Sequence, residues 1–213
     1  MLKSKFRDRK EAGQQLAKKL QHHSNRNDMI VLALPRGGVP VAYEIAKELN
    51  YPLDIFLVRK IGIPNNEETA MGAVAIGGAQ ILNQELIKYL NISNETVQMA
   101  INKAQQELQF RNNLYRNNKA EINFRNYNII LVDDGMATGA TMQAAILALK
   151  KEGAHEIIVA VPVSSESSYE EIFPMVDEVI SLVIPTIFHA VGAWYENFPQ
   201  VSHEEVKELL SKT

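Results

Sequence analysis

The 213 residues contain no cysteine, which excludes disulfides and thiol chemistry and removes the commonest ligands of a structural zinc site. His22-His23 is an adjacent pair with no further ligand at metal-binding spacing. No apolar run approaches the roughly 18 residues that a membrane-crossing helix needs. The opening Met1–Lys10 is polar and charged rather than an apolar secretory signal, so the expected location is cytoplasmic. Neither sign of charge dominates. A total of 22 Lys and Arg against 25 Asp and Glu gives a net charge of −3 and a pI near 6.0, which excludes a general attraction to nucleic acid or anionic membrane. The basic residues that do cluster, Lys3, Lys5, Arg7, Arg9 and Lys10, fit the solvent face of an amphipathic helix that turns Phe6, Leu16 and Leu20 inward. Internal repeats and low-complexity linkers are also missing, so residues 1–213 are expected to form one domain.

A hydrophobic content of 46% is enough for a sizeable core. Short β-favourable runs occur at Ile30–Leu34, Asp54–Val58, Ala70–Ile76, Ile129–Val132, Ile157–Val161 and Glu178–Val183. Most are separated by helix-sized stretches, and this alternation predicts an α/β fold, a Rossmann-like, mainly parallel sheet flanked by helices. Val39–Leu49 reads as a crossover helix ending at Asn50, before Pro52. Residues 82–126 read as a helical insertion. Within it Val97, Ile101, Ala104, Leu108, Arg111 and Tyr115 mark one helix face, capped by Ser93 or Asn94, that packs on its own sheet or on a partner subunit. Residues 184–213 are set apart as a C-terminal segment, expected to serve as a hood or an interface.

The densest chemistry lies at residues 129–141, Ile-Ile-Leu-Val-Asp-Asp-Gly-Met-Ala-Thr-Gly-Ala-Thr. Four apolar residues fit a strand covered on both faces, and Thr141–Lys151 fits a helix after the turn. The loop therefore sits at a strand's carboxyl end, where open α/β sheets bind ligands. Gly135, Thr138, Gly139, Ala140 and Thr141 let N–H groups and hydroxyls converge on an anion at a helix N-terminus. The loop lacks the Lys of a Walker loop and the spaced glycines of a dinucleotide fingerprint, and it adds Asp133-Asp134 beside the anion. Carboxylates next to a phosphate pocket suit a sugar diol.

The segment resembles the phosphoribosyl-pyrophosphate (PRPP) motif of type I phosphoribosyltransferases, a hydrophobic strand, two acidic residues, a variable stretch and Thr-Gly-x-Thr. The resemblance implies that Asp133 and Asp134 hold the ribose 2- and 3-hydroxyls and that Ala137, Thr138, Gly139, Ala140 and Thr141 hold the 5-phosphate. Leu34-Pro35-Arg36-Gly37-Gly38 looks like the pyrophosphate loop of the same family, which commonly contains a non-proline cis peptide; Pro35, Arg36, Gly37 and Gly38 would then bind pyrophosphate. Val58-Arg59-Lys60 ends the next strand, and Arg59 and Lys60 resemble the family's leaving-group cations. The following polar loop, Ile61 to Thr69, resembles its mobile lid, with Glu67 or Glu68 as the lid carboxylate. Asp133, Asp134, Arg59, Lys60 and Glu68 are thus the implied catalytic set. Mg2+ is implied as a companion of the pyrophosphate, reaching Asp133 and Asp134 through ribose or water. The segment from Pro185 to Phe198 is similar to a base-covering hood, with Phe188 or Trp194 stacking on the base.

Position 137 is Ala where hypoxanthine-guanine enzymes carry a general-base Asp, which disfavours a 6-oxopurine. Across nearly its whole length the chain looks most like a bacterial group of phosphoribosyltransferases whose acceptor base is unassigned. The resemblance implies Mg-dependent transfer of a 5-phosphoribosyl group from PRPP to a small nitrogenous base, purine-like by preference, in a homodimer. A non-catalytic PRPP- or nucleotide-sensing regulator and a phosphoribosyl hydrolase remain alternatives on the same motif. The missing basic face argues against a DNA-binding form.

Overall fold

A computed structural model describes residues 5–64, 66–116 and 122–212. The first half runs α1 (Arg9–Lys19), β1 (Met29–Ala33), α2 (Gly38–Leu49), β2 (Leu53–Ile55), β3 (Val58–Ile63), β4 (Asn66–Ala75) and β5 (Gln80–Leu82). After these come α3 (Gln84–Tyr89), α4 (Asn94–Arg116), β6 (Asn128–Val132), α5 (Ala140–Lys151), β7 (Ile157–Val163), α6 (Glu166–Ile172), β8 (Glu178–Val183) and α7 (His203–Leu210). Five strands form a wholly parallel sheet in the order β2-β1-β6-β7-β8. The chain winds outward in opposite directions from β1 and β6, so their carboxyl ends flank the topological switch point.

All five residues of β1 and all seven of β7 are buried, as expected for strands covered on both faces. Alternate residues serve different layers. Val31, Ala33, Ile130, Val132, Ile158 and Ala160 join Leu16 of α1 and Val41 and Ile45 of α2 in one apolar cluster. Ile30, Leu32, Ile129, Leu131, Ile157 and Val159 join Met142, Ile146 and Leu149 of α5 in the other. Each fully buried aliphatic side chain contributes about 1.5–3 kcal/mol, and these two layers fix where the strand ends lie.

Several expectations need correction. The run Asp54–Val58 is not one strand: β2 ends at Ile55, and Val58 opens β3, which pairs antiparallel with β4 in a separate three-stranded sheet. The run at Ala70–Ile76 belongs to β4 of that sheet, not to the parallel one. Arg59 and Lys60 accordingly stand in a hairpin strand, and most of the anticipated lid loop is strand, with register shifts around Gly62. Phe6 lies ahead of α1, where it bridges to Tyr195 and packs in a satellite cluster with Ala12. Arg9, read as a solvent-facing cation, is buried. His22 and His23, without a partner in sequence, both direct Nε2 at Glu178 Oε2, at 3.3 and 2.6 Å, at the amino end of β8.

The insertion packs on its own domain. Val97, Ile101, Ala104, Leu108 and Tyr115 of α4 join the core while Arg111 is exposed, and α4 lies against β3, β4 and α7. Ser93 Oγ caps its start by accepting from Thr96 N–H at 3.1 Å. Arg116 Nη2 ties its end to Asp54 Oδ2 of β2 at 3.0 Å.

Candidate functional site

Register places the two phosphate-loop candidates side by side. Ala33 of β1 is level with Val132 of β6, and Leu34 N–H donates to Val132 O at 2.8 Å, so residues 34–38 and 133–139 leave adjacent strand ends together. The Pro35-Arg36 peptide is cis. Gly37 runs so close to the acidic pair that an added Cβ would fall on Asp134 Oδ2. The absence of a side chain at 37 is what lets the pyrophosphate-loop candidate touch the diol candidate.

The anion-loop candidate, residues 137–141, is anchored from below. Met136 N–H donates to Val163 O at 2.8 Å and Met136 O accepts from Ser165 N–H at 2.9 Å. Ser165 Oγ and Ser168 Oγ both donate to Ala137 O, at 2.7 and 2.8 Å. Gly139 takes a left-handed φ of 66° as it enters α5, whose first turn has no side-chain cap, which leaves its N–H groups for another acceptor. Ala137, Thr138 and Thr141 are exposed.

The carboxylates are held less simply than the motif suggests. Asp133 Oδ1 accepts from Asp134 N–H at 2.8 Å. Arg9 Nη2 and Nε both reach Asp134 Oδ2 at 2.8 Å, while Arg9 Nη1 donates to Pro199 O at 2.7 Å and the guanidinium lies 3.7 Å above the Phe198 ring. Tyr195 Oη donates to Asp134 O at 2.6 Å. Burial, and then the neighbouring Asp134 charge, push the Asp133 carboxyl well above its ordinary range. Burial also raises Asp134, although the Arg9 guanidinium opposes it. The Tyr195 phenol is raised too, mainly by burial.

Three cavities surround this junction. One of 480 Å³ is lined by Arg9, Arg36, Gly37, Asp134 and Phe198. A second, of 510 Å³, lies on the far side of the anion loop between Ala137, Thr138, Ser165, Thr186, Phe188 and His189. The largest, 750 Å³, runs from Pro35 and Thr141 between the β3–β4 hairpin, with Arg59 and Lys60, and α4. Arg59 Nη1 is paired there with Glu107 Oε2 at 2.8 Å. Phe188 thus borders a cavity beside the anion loop. Trp194 borders none of these three and packs with Phe6, Ala12 and Tyr195. The side chains of Glu67 and Glu68 lie outside the described residues.

Residues 6–196 match the family model described as a phosphoribosyl transferase domain. The chain belongs to the phosphoribosyl transferase family. Two Mycobacterium tuberculosis proteins provisionally named phosphoribosyl transferases, from strains CDC 1551 and H37Rv, are each 39% identical over 207 residues. The match takes in 97% of this chain and 46% of theirs, so the chain spans about half the length of the curated relatives it matches. The crystal structure of TT1426 from Thermus thermophilus superposes with a TM-score of 0.87 at 38% identity, covering 98% of each chain. In this phosphoribosyl transferase domain, sequence reasoning missed Arg9, Ser165, Ser168 and Tyr195. A signal existed for the serines alone, since an apolar run followed by Ser164-Ser165-Glu166-Ser167-Ser168 repeats the strand-then-hydroxyl pattern of the PRPP motif.

Proposed function

We propose that the chain binds PRPP and transfers its 5-phosphoribosyl group to a small nitrogenous base, releasing pyrophosphate. The observation that carries the reading is the contact of the two loops at the switch point, with Gly37 against Asp134, which makes the diol, phosphate and pyrophosphate positions continuous. In this reading the 5-phosphate rests on Ala137 through Thr141, the ribose diol on Asp133 and Asp134, and the pyrophosphate toward Arg36, Gly37, Gly38, Arg59 and Lys60. The base enters the cavity beside Phe188, a ring able to stack on a planar heterocycle. The C1–O bond breaks with its electron pair leaving on pyrophosphate, a nitrogen lone pair forms the N–C1 bond, and the nitrogen's proton passes to solvent. Orientation and fixed charge supply the catalysis: cations on the leaving group and carboxylates near the oxocarbenium-like ribose favour the charge separation.

Magnesium fits the acidic pair only at one remove. Asp134 Oδ2 already accepts from Arg9 and Asp133 Oδ1 from a backbone N–H, so an ion accompanying pyrophosphate would reach them through a ribose hydroxyl or water. It would neutralise leaving-group charge. The reading includes a purine-like acceptor, a cytoplasmic location and a homodimer; Tyr89 and Phe110, both exposed, offer apolar contact for a second copy.

Titration calorimetry with PRPP and Mg2+, repeated with ribose 5-phosphate, tests the reading. Wild type should bind both, and Thr138→Ala and Asp134→Ala should lose PRPP. Unchanged affinity in both variants would overturn the site. Products then separate transfer from the alternatives: pyrophosphate release that requires a base marks a transferase, release without one a hydrolase, and binding without release a sensor.

A further inference from the structure

The helical insertion forms a wall of the largest cavity. Thr96, Met99, Lys103, Glu107 and Arg111 recur every three or four residues along α4, so they make one stripe, adjacent to the buried stripe of Val97, Ile101, Ala104 and Leu108. Thr96, Met99, Lys103 and Arg111 line the 750 Å³ cleft, and Glu107 reaches across it to Arg59. The opposite wall carries Arg59 and Lys60, and the floor carries Pro35 of the pyrophosphate-loop candidate and Thr141 of the anion loop.

Four cations therefore face one cleft, offset by a single carboxylate among the described residues that is spent on Arg59. Lys60, Lys103 and Arg111 make no ion pair with another described residue. Arg111 and Arg36 also lie close enough to the Tyr115 hydroxyl for their charges to favour its ionised form, although burial, the larger effect, raises the phenol. The α4 stripe and the loop at 34–38 meet in this cleft, since Arg111 and Pro35 both line it. Like charges gathered on facing walls suit a polyanion, which makes charge-assisted hydrogen bonds to several of them at once.

We propose that α4 is the second wall of the diphosphate site: Lys103 and Arg111 bind the diphosphate of PRPP, and Glu107 occupies Arg59 until that anion displaces it. The inference rests on the PRPP reading and adds to it a role for the insertion. Lys103 and Arg111 are substrate-binding residues in this account, and Glu107 is a competitor.

Calorimetry with PRPP, inorganic pyrophosphate and ribose 5-phosphate tests it in wild type, Lys103→Ala/Arg111→Ala and Glu107→Gln. Both mutated cations are exposed, so the double variant should keep the wild-type unfolding temperature. Its affinity for PRPP and pyrophosphate should fall at least about tenfold, with a shallower salt dependence, while ribose 5-phosphate binding is unchanged, since only charge-assisted bonds to the diphosphate are removed. Glu107→Gln should bind pyrophosphate several-fold more tightly because Arg59 is released. Wild-type affinity for PRPP in the double variant would overturn the α4 assignment alone. Failure of wild type to bind either PRPP or ribose 5-phosphate would overturn the functional reading and this inference with it.

Discussion

Arg9 and Asp134, 125 residues apart in the chain, form an ion pair at 2.8 Å whose side chains retain only 9% and 15% of their exposure. The pair joins α1 to the acidic motif, and the same guanidinium holds Pro199 O and covers the Phe198 ring. Removing one partner of a buried pair strands the other charge, at a cost of about 3–5 kcal/mol. Arg9→Ala should therefore lower Tm by roughly 10 °C, given about 2–4 °C per kcal/mol in a chain of this size. Arg9→Met combined with Asp134→Asn should recover most of the loss. Scanning calorimetry on Arg9→Met, Asp134→Asn and their double closes the cycle, and simple additivity of the two single effects would show that the pair is not coupled.

At the opposite end of the sheet, Glu178 carries a second, more exposed charge cluster. Burial alone would raise its carboxyl, but hydrogen bonds from His23 and then His22 outweigh that and hold it below the ordinary 4.5. A folded pKa below the unfolded one means a contribution present above 4.5 and lost as pH falls through the lowered value. Urea midpoints of wild type should drop more steeply than those of Glu178→Gln on acidification below that point. Parallel curves would refute the coupling.

The parallel sheet and the two strand-end turns that follow β1 and β6 were legible because buried runs and glycine- or hydroxyl-rich turns are local patterns. Glu178–Val183 and Ile157–Val161 read correctly for that reason. The division of residues 53–63 between two sheets was not, since Leu53 through Ile63 is one nearly unbroken β-favourable stretch and the break at Phe56-Leu57 depends on what each half pairs with. Arg9 was misread for a related reason. Helical periodicity assigns a cation to solvent, and only the return of the chain at Phe198 and Pro199 encloses it.

Ser165 and Ser168 hold the candidate anion loop through its backbone. Their hydroxyls donate to the Ala137 carbonyl, and each neutral bond of this kind contributes about 1 kcal/mol. Ser168→Ala should cost about that much stability and weaken ribose 5-phosphate several-fold, as Ala137 keeps one donor. Ser165→Ala/Ser168→Ala leaves that carbonyl without a hydroxyl donor, and its loss of affinity should exceed the sum of the two single changes. Ribose 5-phosphate titrations measure this directly. Wild-type affinity in the double variant would mean that the loop holds its shape unaided.

Asp133 sets stability against binding. Its folded carboxyl is raised by burial and by Asp134, so the native state holds a proton more readily than the unfolded one across the window from 3.8 upward to the raised value. Stability then falls as pH rises through that window, and the cost is fully present above it. Asp133→Asn keeps the shape without the charge and should raise the neutral-pH Tm of the free protein by a few degrees. Ribose hydroxyls donating to the carboxylate favour its charged form, so PRPP binding should expel a proton and weaken as pH falls. The same substitution should abolish that pH dependence along with most of the affinity. Calorimetric titrations in buffers of different ionisation enthalpy count the protons released. A wild type that releases none, with PRPP affinity flat in pH, would place the sugar elsewhere than on Asp133.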